Sequence, residues 1–166
     1  MAVVINGSTG IDKVQDGTIT SADLASGVGG KVLQVVQATG TTYEQTTSSS
    51  YINYSYSNVS ITPSSTSSKI LVLLEADVAP WENSAADAQQ RVKIYRGGSA
   101  ISREVISRIY AYDSTGHELD TAVVINYLDS PSTTSSIEYQ LYYKMHSAGD
   151  RAAIQSASIT LMEISA

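Results

Sequence analysis

The chain has 166 residues and a mass of 17.6 kDa, the size of one domain with a short extension. Charged residues make up only 16%, below the roughly 25% of ordinary soluble domains, and Ser and Thr fill the space. The net charge of −6 argues against a nucleic-acid partner, and the absence of cysteine excludes a disulfide frame, a Cys-zinc site and a thiol nucleophile.

The opening run Met1-Ala-Val-Val-Ile5 lacks the basic start of a signal peptide, and its apolar stretch is short. No run approaches the roughly 18 apolar residues of a membrane span. The expectation is a protein made in a cytoplasm, without membrane insertion.

Residues 1–30 read as an arm. Val3, Val4, Ile5, Ile11 and Val14 are spaced by Asn6-Gly7, Gly10 and Asp16-Gly17, which are turn signals. These pieces are too short for a private core. Thr20 as N-cap, Asp23 at the capping-box position and Gly27 as stop predict one short helix over 21–26. The arm reads either as a disordered terminus or as a segment docked on another chain; the apolar tip favours docking.

From residue 31 the pattern is β. Strands are predicted at 31–38, 51–61, 69–78, 90–96, 99–109, 119–128, 137–145 and 154–164, with Ser/Thr/Gly/Pro turns between them. In 51–61, Ile52, Tyr54 and Tyr56 alternate with Asn53, Ser55 and Ser57. In 69–78, Ile70, Val72, Leu74, Ala76 and Val78 form one face, and Leu71 and Leu73 lie on the other. The same two-sided pattern recurs in 119–128. Ile137, Tyr139, Leu141, Tyr143 and Met145 give the cleanest alternation. The expected fold is all-β, an antiparallel β-sandwich or jelly roll, with the arm in front of a knob over residues 31–166.

No catalytic constellation stands out. His117 and His146 are far apart, and no Gly-x-Ser-x-Gly, HExxH, Walker A or GxGxxG motif is present. Asp113, Glu118 and Asp120 fall in one loop, Glu82 and Asp87 in another; scattered loop carboxylates on an acidic chain read as solvation. The stretch from Asp12 to Gly17 lacks the acidic ladder and final Glu of a calcium loop. The expectation is no catalytic residue, metal or cofactor.

Binding by loops remains. Trp81 stands in Ala79-Pro80-Trp81-Glu82, and Tyr110, Tyr112 and His117 stand in or beside a second loop. Tyr and Trp give rigid amphipathic contact area, while Ser, Asn and Gly give adaptable hydrogen bonds. These four are the candidate receptor contacts. Trp81 reads equally as a packed or subunit-interface residue.

Two segments, Gly30-Lys-Val-Leu-Gln-Val-Val-Gln37 and Ile61-Thr-Pro-Ser-Ser-Thr-Ser-Ser-Lys-Ile-Leu-Val72, resemble a domain of tail fibres and other virion appendages of tailed phages. Ile94-Tyr-Arg-Gly-Gly-Ser-Ala-Ile101, Leu128-Asp-Ser-Pro131 and Ile159-Thr-Leu-Met-Glu-Ile164 follow the same pattern in the same order. The arm is similar to the N-termini and repeats of such fibres. The resemblance implies a non-enzymatic virion protein and a homotrimer. Its arm would join another virion protein, and its β-sandwich knob would face a host-surface glycan or protein. The chain lacks the long shaft of such fibres. A short fibre, a small subunit on a larger fibre and a capsid decoration therefore all stay open.

Overall fold

The alternation of β-branched and aromatic residues with Ser, Thr and Gln builds strands, each burying one side on a shared core. The computed structural model describes residues 31–82, 87–110, 115–146 and 151–165. The arm residues Val3, Val4, Ile5, Ile11 and Val14, the helix expected at 21–26, and Tyr112 lie outside these. The compact unit that holds the described strands is Val32–Ala166.

Twelve strands are assigned among the described residues. They are β1 (Val32–Gly40), β2 (Glu44–Thr46), β3 (Ile52–Ile61), β4 (Lys69–Val78), β5 (Trp81–Glu82), β6 (Asp87–Arg96), β7 (Ser99–Ala100), β8 (Val105–Tyr110), β9 (His117–Glu118), β10 (Thr121–Asp129), β11 (Ile137–Met145) and β12 (Ala152–Ile164). Sheet A runs β1-β12-β4-β10, with β2 also on β12. Sheet B runs β3-β11-β6, with β7 and β8 both on β6. Every pairing is antiparallel.

Numbering only the eight strands of six or more residues, sheet A has the order 1-8-3-6 and sheet B the order 2-7-4-5. Strand 1 pairs with 8, 2 with 7, 3 with 6 and 4 with 5. That is one long hairpin wrapped around a core, the jelly roll.

The two sheets bury Ile70, Val72, Leu74, Ile125, Ile159 and Leu161 against Tyr54, Val92, Ile94, Tyr139, Leu141 and Tyr143. Each such side chain contributes about 2 kcal/mol of apolar burial. With no Phe in the chain, Tyr is the core aromatic, and each buried hydroxyl must find a partner. Tyr54 donates to the Thr42 carbonyl at 2.6 Å, Tyr139 to Asp129 at 2.7 Å and Tyr143 to Glu44 at 3.1 Å. Burial first, then the neighbouring carboxylates, hold the Tyr139 and Tyr143 hydroxyls above their ordinary pKa.

The wrapping gives the sandwich two distinct ends. The chain passes from one sheet to the other between β1 and β3, β4 and β6, β8 and β10, and β11 and β12 at one end, called upper here, where the described residues 41–51, 79–82, 115–120, 146 and 151 lie. Gln90 ties the sheets there, its amide donating to the Ala153 carbonyl at 2.9 Å and accepting from the Ala153 N–H at 3.1 Å. The lower end holds connections 62–68, 97–104 and 130–136 and the start of β1.

Two buried carboxylates close the lower end. Glu163 on β12 accepts hydrogen bonds from the Ser64 N–H (2.7 Å), the Ser64 hydroxyl (2.6 Å) and the Gln34 amide (2.6 Å). Burial alone would raise its pKa, but the donors from Ser64, Gln34 and Ser68 outweigh that and lower it to about 2. Asp129 on β10 takes both its oxygens to Arg96 Nη1 (2.9 and 2.7 Å), which joins sheet A to sheet B.

Four details differ from the sequence pattern. β6 begins at Asp87 rather than residue 90, because Ala88, Gln89 and Gln90 are all buried and show no alternation. The stretch expected as one strand over 99–109 breaks into β7 and β8 around residues 101–104. Its first turn is a tight hairpin, with Gly97 at φ 53° and Gly98 at φ 82°, a region that favours glycine. Tyr56 does not follow Tyr54 inward. A bulge in β3 opposite Tyr139–Leu141 turns it out, and Ser57 points in instead. Leu71 and Leu73 on the second side of β4 are only partly buried in the single chain.

Candidate functional site

The upper end gathers the sequence candidates. Trp81 and His117 come together because the 79–86 and 111–120 connections form a two-stranded ribbon, with Trp81 opposite Glu118 and Glu82 opposite His117. The Leu119 N–H donates to the Pro80 carbonyl at 3.2 Å and extends this pairing. A third connection joins it. The Trp81 N–H donates to the Arg151 carbonyl at 2.8 Å, and the Arg151 N–H donates back to the Trp81 carbonyl at 3.2 Å.

The side chains reinforce that backbone frame. The Arg151 guanidinium lies over the Trp81 ring, 5.5 Å from its centroid, and its Nη2 contacts Glu118 Oε1 at 2.8 Å. A cation over an indole face gains roughly 0.5–1 kcal/mol at a part-exposed site and fixes both groups. Gly116 sits at φ 79°, and a Cβ there would lie 3.2 Å from the Trp81 ring. The glycine lets the loop both turn and pass close to the indole.

A groove of about 500 Å³ opens beside this frame, lined by Gln45, Thr46, Thr47, Trp81 and Arg151. Its second wall exists because β2 pairs with the start of β12, Thr46 lying opposite Ala152. An aromatic edge, a guanidinium and three short polar side chains suit a ligand that offers both an apolar surface and hydrogen-bonding groups. In the neighbouring ribbon, outside the groove lining, Thr115 Oγ1 lies 3.3 Å from His117 Nε2.

Tyr110 ends β8 opposite Asp87 and is 60% exposed. Its strand packs beside β5, so it stands on the same end as Trp81. Arg151 and Gln45–Thr47 were not marked by the sequence. No local motif distinguishes them; only the pairing of β2 and of residue 151 with distant strands brings them to Trp81. Among the described residues, no group of three or more His, Asp or Glu is placed to hold a metal ion.

No protein-family model matches the chain, and no curated protein matches it. Solved structures similar to it include dimeric latent PorU from Porphyromonas gingivalis, at 10% identity and a TM-score of 0.43, covering 80% of this chain and 13% of that one. The T13 particle of IBDV is similar at 13% identity and a TM-score of 0.40, over 80% of this chain and 36% of that one. The Gx strain of infectious bursal disease virus is similar at 14% identity and a TM-score of 0.36, over 80% and 37%. The chain thus spans little more than a third, or less, of the solved chains it matches.

Proposed function

We propose that this chain is a non-enzymatic virion appendage of a tailed phage, a homotrimer that binds at both ends. Residues 1–30 join another virion protein, and the upper end of the sandwich meets a host-surface glycan or protein. One observation supports this reading above the others: the wrapping puts the start of β1 at the lower end and the Trp81 groove, with four of the six steps between the sheets, at the upper end. A device that is held at one end and presents variable loops at the other needs that polarity. Three copies give avidity, so weak single-site contacts add up to useful attachment.

Particles carrying Trp81→Ala with Arg151→Ala provide the test. The expected result is at least a tenfold fall in the adsorption rate with normal particle yield. Unchanged adsorption would overturn the host-contact role. If particles lacking the protein adsorb normally but break at lower temperature or salt stress, the chain is a capsid decoration instead.

A further inference from the structure

Cations are not spread evenly over this acidic chain. Three of its ten Lys and Arg residues, Arg91 and Lys93 on β6 and Lys144 on β11, gather around one carboxylate, Glu104. Their strand neighbours Val92, Tyr143 and Met145 point into the core, so the three cations rise from the outer face of sheet B. The register groups them: Lys144 lies beside Arg91, and Lys93 beside Tyr142 in the next outward row. Tyr51 joins them, with the Lys93 and Lys144 ammoniums 5.1 and 4.9 Å from its ring centroid. Tyr95 and Tyr142 stack at 3.9 Å beside the cations.

The cluster already displays the chemistry it holds. Glu104 accepts from Arg91 Nη1 at 2.8 Å on one oxygen and from the Tyr51 hydroxyl on the other, and Lys93 Nζ is 3.9 Å away. Burial would raise the Glu104 pKa, but the Tyr51 hydrogen bond and the three cations lower it. One carboxylate does not balance three cations. Each ammonium has three donors, so Lys93 and Lys144 keep capacity for a carboxylate from outside. The nearest other acids do not fill it. Asp87 is taken by Arg108 and Gln89, and Glu138 stands about 20 Å down β11 from Lys144.

We propose that this face binds a carboxylate-bearing polysaccharide, at a site separate from the Trp81 groove. Charge complementarity names the carboxylate, and the topology favours a sugar chain over a peptide. β11 lies between β3 and β6, and β6 between β11 and β8, so their backbone groups are spent on one another. Only side chains remain for a ligand. A peptide laid there would find no strand edge to match its own backbone. A uronic-acid unit brings a carboxylate for the lysines and C–H faces for the tyrosine rings. An open sheet face holds one such unit weakly, and a repeating chain gains by offering many.

The full-length chain is passed over immobilised polygalacturonate, dextran sulfate and plain dextran. It is expected to bind polygalacturonate and to ignore plain dextran, and about 0.3 M salt is expected to release it, because exposed charges are screened there. Lys93→Gln with Lys144→Gln changes only partly exposed side chains, and is expected to bind at least tenfold less with an unchanged circular-dichroism spectrum. Trp81→Ala with Arg151→Ala is expected to bind as the parent does. A parent that ignores polygalacturonate, binds plain dextran equally or holds on in salt overturns the proposal. Tighter binding to dextran sulfate overturns the carboxylate class. Binding kept by the lysine pair and lost by the Trp81 pair overturns the assignment to sheet B.

Discussion

The lower and upper ends of the sandwich are closed by different means. At the lower end, Glu163 and Asp129 are nearly or fully buried and satisfied by short connections and by Arg96. At the upper end, the longer connections are held by a two-strand ribbon, one backbone exchange between Trp81 and Arg151, and a part-exposed ion pair with Glu118. Buried charged hydrogen bonds cannot be traded for water, whereas exposed pairs can. The difference teaches where the stability of the fold resides and where its loops are free to change.

The strongest way to break this contrast is Glu163→Ala. A carboxylate lowered from 4.5 to about 2 corresponds to about 3 kcal/mol, and urea unfolding at pH 7 is expected to show a loss of that order. The pH profile carries the same information. The folded pKa is depressed, so this contribution is complete above the ordinary glutamate range and is lost as pH falls toward 2. The parent is expected to destabilise through that window and Glu163→Ala to follow a flatter course. Asp129→Asn removes the charge that Arg96 meets across the sheets, with an expected cost of about 2 kcal/mol by the same denaturation measurement, since hydrogen bonds to charged groups are worth roughly that.

The upper end is expected to respond less. Gly116→Ala forces a side chain into a left-handed turn against the indole, at a cost of about 1 kcal/mol, with a shift in the emission of the single tryptophan. Arg151→Ala is expected to cost less than about 1 kcal/mol, because its ion pair is part-solvated, yet to red-shift Trp81 emission as the ring loses its cover. If Arg151→Ala proved as costly as Glu163→Ala, the two ends would be equally structural and the contrast would fail.

Much of the fold was legible because inward residues recur with period two. The bounds of β4 and β11 were readable to the residue, since Ile70–Val78 alternates without a break and Ile137, Tyr139, Leu141, Tyr143 and Met145 recur at every second position, though Gln140 between them is buried too. Tyr56 was misread because a bulge changes parity without a sequence signal. The short strands β2, β5 and β9 are fixed by their partners rather than by any pattern of their own. The site divides the same way. Trp81, which lines the groove, is marked by residue type and loop position; Tyr110 and His117, marked the same way, stand at the same end without lining it. Arg151 could not be found that way, because what makes it part of the site is a pairing with a residue 70 positions earlier, which is information held by the topology.

The nested hairpin has a consequence for synthesis. Strand β1 leaves the ribosome early among these strands, yet its sheet partner is β12, and Gln34 finds Glu163 only 129 positions later. The most local of the four main strand pairs, β6 with β8, can close first, while the pair that seals the lower end must wait for the last strand. Until then both edges of the uncharged β1 are unpaired, where the finished sheet leaves only one, and such edges pair with whatever strand is nearest. Folding of this chain is therefore a race in which slow translation of the last strands, or truncation before β12, favours aggregation over a partly folded monomer.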